Sequence, residues 1–268
     1  PDGFRTVTAL TRMPQCRVIV RYGVGVDNID LAAAEAAGII VANVPDYGVA
    51  EVSDHALALM LAVGRRITRR DAALRSGSWG VARAEPIYRF AGSTLGLIGA
   101  GRIGRTFVTK ALALGFARVL VHDPHAAGLP VDWQPATIDQ ICAEADVISL
   151  HAPLTDDTHH LIDARRLAMM KPRTILLNTS RGGLIDTVAL AEALHRDQLF
   201  GAGLDVFEVE PPDLSHPIFA APNTVFSDHT GWYSEASVSD LRRKAAEEVW
   251  RVLTDQPPRN PVVAHAAR

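Results

Sequence analysis

Apolar and polar positions along the chain twice repeat one pattern: an apolar β-branched run, a glycine-bearing turn, a stretch of helical period and a second apolar run. The first repeat predicts a strand over 17–21, a turn at Gly23-Val-Gly25, a helix over 31–37 with Asp30 as N-cap and Gly38 as stop, and a strand over 39–44. The second predicts a strand over 94–98, a helix over 103–114, strands over 117–122, 146–150 and 174–178, a helix over 187–195, and strands near 200–204 and 224–226. Strands and helices alternating at this spacing predict an α/β chain with a doubly wound parallel sheet. Between the repeats, Val52, Ala56, Leu59, Met60, Val63 and Ile67 share one helical face, which predicts a single connecting helix over 49–75. A last helix is expected over 234–253, ending before Pro257-Pro258.

This pattern divides the chain into a sheet domain at 48–230 and a smaller domain made of 1–47 and 231–268. The smaller one offers two strands and one helix before the tail, too little apolar surface for a self-sufficient core, so it is expected to be incomplete at its start and poorly ordered before Arg17. The stripe on the 49–75 helix has two readings, packing on the chain's own core or burial against a second copy, and the second makes a homodimer the expected state.

Composition removes several function classes. With 48% hydrophobic and 21% charged residues the chain is a folded globular one, and 30 acidic residues against 27 Lys+Arg leave no cationic excess to hold nucleic acid or an anionic membrane. Cys16 and Cys142 stand apart in no metal or disulfide spacing, so neither a metal site nor a disulfide framework is expected. The apolar stretches at 31–44 and 56–64 are interrupted or too short to span a bilayer, and the start lacks a leader pattern; a cytoplasmic protein is the expectation.

Gly99-Ala-Gly101-Arg102-Ile103-Gly104 follows a predicted strand and opens a predicted helix, the context that makes GxGxxG a dinucleotide fingerprint. Gly99 permits the tight turn, Gly101 lets a pyrophosphate approach the backbone N–H groups, and Gly104 lets helix and strand pack closely. Nineteen residues on, Asp123 ends the next strand, where a carboxylate accepts from both ribose hydroxyls and repels a 2′-phosphate. NAD is therefore expected over NADP.

Arg181, Glu210 and His229 each follow a predicted strand, and carboxyl ends of parallel strands border the ligand crevice. Singly, they read as a solvated cation, a surface acid and one of ten histidines. Together they suit hydride chemistry on a 2-oxo acid: a guanidinium for the substrate, a proton donor that cycles near neutral pH, and an acid to hold its imidazole.

In that order the motifs resemble the D-isomer-specific 2-hydroxyacid dehydrogenases, and the segments 18–30, 43–45 and 229–235 are most similar to the branch containing the C-terminal binding protein corepressors. The resemblance implies a Rossmann-type cofactor domain and a smaller flavodoxin-like substrate domain, with Arg181, Glu210 and His229 catalytic. It also implies Arg21, Gly23, Val24, Gly25 and Trp232 at the substrate, and Ala152, Pro153, Leu154, Thr158, Thr179, Ser180 and Asp205 lining the cofactor. Read physically, the 23–25 turn can aim N–H groups at a carboxylate or be a plain strand exit, and Trp232 can be a packed aromatic or a substrate wall. Asp228 stands where the family usually has proline, a departure that bears on the rigidity of the His229 loop, and family members carry a further strand-helix portion before the point where this sequence begins. Two functions follow: an NAD-dependent enzyme interconverting 2-oxo and D-2-hydroxy acids, or an NAD(H)-sensing, dimeric, corepressor-like binding protein.

Overall fold

A computed structural model describes Leu10, residues 12–80 and residues 85–263; the expected disorder before Arg17 falls largely outside them. The chain forms two compact units, Val49–Trp232 and the pair Pro1–Gly48 with Tyr233–Arg268.

The larger unit holds seven parallel strands: β3 (Thr94–Ile98), β4 (Arg118–His122), β5 (Trp133–Pro135), β6 (Val147–Leu150), β7 (Ile175–Asn178), β8 (Gly201–Leu204) and β9 (Thr224–Phe226), in the spatial order β5-β4-β3-β6-β7-β8-β9. The order reverses between β3 and β6, which makes their carboxyl ends the switch point where such sheets bind ligands. Strand periodicity sorts the core into two layers. Leu95, Leu97, Val119, Val121, Ile175 and Leu177 pack with Leu59, Met60 and Val63 of α2 (Val49–Gly64) and with Phe107 and Val108 of α4 (Arg102–Leu112). Ile98, Leu120 and Leu176 belong to the other layer, with Ile141 of α5 (Ile138–Glu144), Leu167 of α6 (Ala164–Met169) and Leu190 of α7 (Thr187–His195). Burial on both faces is why these strands read as continuous apolar runs.

The expected single helix over 49–75 is two. It breaks after Gly64 and resumes as α3 (Ile67–Arg75), with Arg66 in the left-handed region at φ 52°. Two tertiary interactions hold the break: the Arg66 guanidinium lies 4.5 Å from the centroid of the Phe200 ring, and its Nε donates to Pro86 O at 3.2 Å. Beyond it the apolar stripe ends; Ile67 is 55% exposed and no residue of α3 is buried. Of the two readings of the stripe, packing on the chain's own core is the one observed, since Ala56, Leu59, Met60 and Val63 are covered by this unit's own α4, β7 and β8; that surface is not left for a second copy. The elements β5, α5 and α6 were not anticipated; at three to seven residues they are too short to show a period, although α5 carries a Thr137/Gln140 capping box and α6 an Asp163 N-cap.

In the smaller unit β1 (Val18–Val20) pairs parallel with β2 (Ile40–Ala42), and β10 (Pro261–Val263) adds antiparallel to β2. The sheet is thus mixed. Asp30 caps α1 (Leu31–Ala36) by accepting from Ala33 N at 2.9 Å, and Gly38 turns the chain at φ 71°, as the sequence predicts. Leu10, Ile29, Ala34, Ile39 and Val41 form its core. The returning tail is held by a buried acid of α8 (Glu235–Leu253): Glu248 accepts from Arg259 N at 2.8 Å and from Asn260 Nδ2 at 3.3 Å, which brings Asn260 O onto Asn43 N. A buried carboxylate is tolerated when its lone pairs are filled in this way.

Candidate active site

The turn leaving β3 is shaped by the absence of side chains. Gly99 sits at φ 94°, and a Cβ there would come within 2.5 Å of the His151 carbonyl carbon and 2.6 Å of Ala152 N; a Cβ on Gly104 would come within 2.3 Å of Gly99 O. A Cβ on Gly101, the N-cap of α4, would meet nothing within 4 Å, and no side chain caps that helix. The space at Gly101 thus lies at the start of a helix whose first residues, exposed Arg102 and half-buried Ile103, carry N–H groups without a side-chain cap, the kind of place that suits an anion. Asp123 closes this turn: Oδ2 accepts from Ala100 N at 2.7 Å and Oδ1 from His125 N at 2.8 Å. Sequence reasoning missed Arg105, which donates to Ala100 O, Gly128 O and Ala127 O and so ties the glycine turn to the loop after Asp123.

Beside the switch point, burial of the His151 ring, which packs on Phe107 and pairs with Ser149 Oγ at 2.8 Å, pushes its pKa down to about 4. In the segment that follows, Thr158 Oγ1 donates to Pro153 O and accepts from Thr155 N, closing a turn, while Leu154 lies against Gly183. Ser180 Oγ donates to Ala152 O at 2.6 Å, joining this segment to the loop after β7. There Asn178 accepts from Ser180 N and donates to Arg181 O, which sets the backbone that carries the Arg181 side chain. Gly182 allows that loop to touch the Phe207–Glu208 peptide, since a Cβ would come within 1.9 Å of Phe207 C.

His229 Nδ1 lies 2.6 Å from Glu210 Oε2, and the other carboxylate oxygen of Glu210 accepts from Phe207 N at 3.0 Å. Both side chains stay partly open, at 41% and 35% exposure, so the pair is reachable from solvent. A hollow of about 580 Å³ beside it is lined by Phe207, Leu214, Phe219 and Phe226. His229 adopts φ 57° and donates its N–H to Asp205 O at 2.8 Å. Asp205, 2% exposed, holds the rest of the loop: Oδ1 accepts from Thr230 N and Oδ2 from Gly231 N. Burial pushes its carboxyl up, but the hydrogen bonds of His55, Ser227 and the Gly231 N–H outweigh it and keep the carboxyl below the usual carboxylate range. Both of its oxygens are thus engaged by the His229 loop. Asp228, in the usual place of proline, accepts from Thr230 Oγ1 at 3.0 Å, so the loop is stiffened by hydrogen bonds instead. Arg181, Glu210 and His229 follow the neighbouring strands β7, β8 and β9, as the sequence predicts. Trp232 is half-buried just after Gly231.

Within the smaller unit, Gly23 sits at φ 136° and Val24 is 43% exposed, its carbonyl held by Asn43 Nδ2 at 2.7 Å; Gly25 is half-buried. Arg21 Nε is buried without a hydrogen-bond partner.

The NAD binding domain of the D-isomer specific 2-hydroxyacid dehydrogenases matches residues 57–231, a span that contains the whole seven-stranded sheet, the glycine turn and the His229–Glu210 pair. The chain belongs to this family. The hydroxypyruvate reductase of Thermotoga maritima is 39% identical over 237 residues, 87% of this chain and 75% of that protein. The D-3-phosphoglycerate dehydrogenase of Methanocaldococcus jannaschii is 39% identical over 253 residues, 92% of this chain and 48% of that protein, so the chain spans about half the length of such relatives. Among solved structures, the D-lactate dehydrogenase of Aquifex aeolicus complexed with NAD and lactic acid superposes with a TM-score of 0.90 at 30% identity, over 98% of this chain and 85% of that one.

Two features of this family member fit NAD. The Gly101 cradle has room for the pyrophosphate, and the Thr179 hydroxyl is buried with no partner, a polar group whose desolvation a bound ligand would offset. Side chains that sequence reasoning missed, Arg105, His55 and Ser227, act through tertiary contacts, and none carries a motif; His55 stands amid the apolar positions of α2 as one histidine of ten. Among the described residues no helix is long and apolar enough to cross a membrane.

Proposed function

We propose that this chain is an NAD-dependent oxidoreductase interconverting a 2-oxo acid and the D-2-hydroxy acid. The reading is carried by the 2.6 Å contact in which His229 Nδ1–H donates to Glu210, which leaves Nε2 as the atom that gives and takes the transferable proton. Bound NADH supplies the hydride to the carbonyl carbon. His229 gives its Nε2 proton to the carbonyl oxygen, Glu210 holds the ring and offsets its positive charge, and Arg181 orients the substrate by its carboxylate or carbonyl oxygen. Trp232, just after Gly231, borders the substrate in this reading. In the direction of oxidation His229 takes the proton back.

The names of the relatives put hydroxypyruvate, 3-phosphohydroxypyruvate and pyruvate first in a panel of 2-oxo acids followed by NADH absorbance. Turnover is expected with at least one acid, and His229→Ala is expected to lower kcat by about 10²–10⁴-fold, the usual range for loss of a general acid. NADH binding with no turnover across the panel would instead favour the sensing function. The exposed side chains Ile67, Leu74 and Trp79 support a homodimer as the working state, which sedimentation velocity tests.

A further inference from the structure

His55 projects from α2 toward the base of the His229 loop. Its Nε2 lies 2.7 Å from Ser227 Oγ, Ser227 Oγ donates to Asp205 Oδ1 at 2.6 Å, and Nε2 is itself 3.4 Å from that oxygen. Donor accounting orients the chain: a carboxylate only accepts, so the Ser227 proton points to Asp205 and the Ser227 oxygen accepts from His55 Nε2–H, which selects that tautomer. The packing is close, since a Cβ on Gly231 would come within 2.7 Å of Asp205 Oδ2 and 3.2 Å of His55 Cδ2. The far end of the chain is the loop itself, because the same carboxylate accepts from Thr230 and Gly231 N–H and the Asp205 carbonyl accepts from His229 N–H. At φ 57° His229 occupies the left-handed region, which disfavours a residue with a Cβ, so surrounding bonds must maintain it.

We propose that His55 is a positioning residue for His229, acting through Ser227 and Asp205. It touches neither substrate nor cofactor in this account. By filling the Ser227 lone pair it keeps the hydroxyl proton on Asp205, and Asp205 so oriented holds the three consecutive N–H groups of residues 229–231. The inference rests on the function proposed above for His229, and its first readout is independent of turnover.

Amide hydrogen exchange of Thr230 and Gly231, NADH affinity, thermal midpoint and kcat are measured for the unmodified chain and for His55→Leu, His55→Gln and Ser227→Ala. His55→Leu and Ser227→Ala are expected to speed exchange at those two amides about tenfold, the scale of one lost buried hydrogen bond. They should lower kcat about tenfold while NADH affinity stays within about threefold. His55→Gln, whose amide N–H reaches the same place, should restore both to within about threefold of the unmodified chain. Unchanged exchange and unchanged kcat in His55→Leu would overturn the proposal. So would a general rise in exchange with a fallen thermal midpoint that His55→Gln does not rescue, because that is a packing role. Should the unmodified chain turn over no acid in the panel, the functional reading fails, while exchange at Thr230 and Gly231 still decides the positioning role.

Discussion

The turn after β3 and the loops after β8 and β9 stand at carboxyl ends of strands in one sheet, yet they are shaped by opposite means. At Gly99, Gly101 and Gly104 the site exists because atoms are missing: two of the three positions would collide with backbone if they carried a Cβ, and the third leaves a space. At Asp205, Glu210 and His229 it exists because charges are present, each carboxylate oxygen fixing an N–H or an imidazole. A cradle made of backbone suits a pyrophosphate, which needs several N–H groups at once and no proton transfer. A reacting carbonyl needs one group that gives and takes a proton, which backbone cannot do.

The contrast predicts that the first region fails when atoms are added and the second when charge is removed. The largest effect is expected for Gly99→Ala, which places a methyl 2.5 Å from the His151 backbone at a positive φ. Stability should fall by about 2–4 kcal/mol, and NADH affinity with it, as read by chemical denaturation and fluorescence titration. Retained affinity and stability would show that the turn is not sterically determined. Glu210→Gln keeps one acceptor, for Phe207 N, and turns an NH2 donor toward His229 Nδ1, so the charge and the bond to the ring go together; kcat should fall about 10²-fold while the thermal midpoint and NADH affinity hold, and a parallel loss of affinity would erase the distinction between the two regions. Asp123 is the carboxylate of the first region. NADH should bind more tightly than NADPH, and Asp123→Ala should narrow that gap about tenfold, measured as a ratio of dissociation constants; equal affinities before mutation would remove Asp123 from cofactor choice.

The smallest effect concerns His151, at the edge of the first region. Its folded pKa of about 4 lies below the unfolded value of about 6.5, so the unfolded chain binds the extra proton between those limits. The stability this lends is complete above pH 6.5 and is lost as pH falls toward 4. Allowing for the ring's partial contact with solvent, about 1 kcal/mol should be gone at pH 5, and denaturation of His151→Phe across that window should show a flatter profile. An equal slope in both proteins would place the ring in water.

What the sequence determined by itself follows the same division. The dinucleotide turn was legible because glycines and a carboxylate at a set spacing after a strand report backbone requirements that are local in the chain. The core strands were legible because burial on both faces leaves an apolar run. The succession of Arg181, Glu210 and His229 at strand ends was readable too, though their contacts were not. Only the tertiary structure decided the break at Arg66, where Phe200 and Pro86 arrive from distant segments. It also decided the role of Asp205, whose partners lie 25 and 26 residues on, and of His55, which meets Ser227 across 172 residues. The reason is physical: a glycine's freedom and a strand's burial are properties of a short segment, whereas a buried carboxylate has meaning only through the donors that folding brings to it.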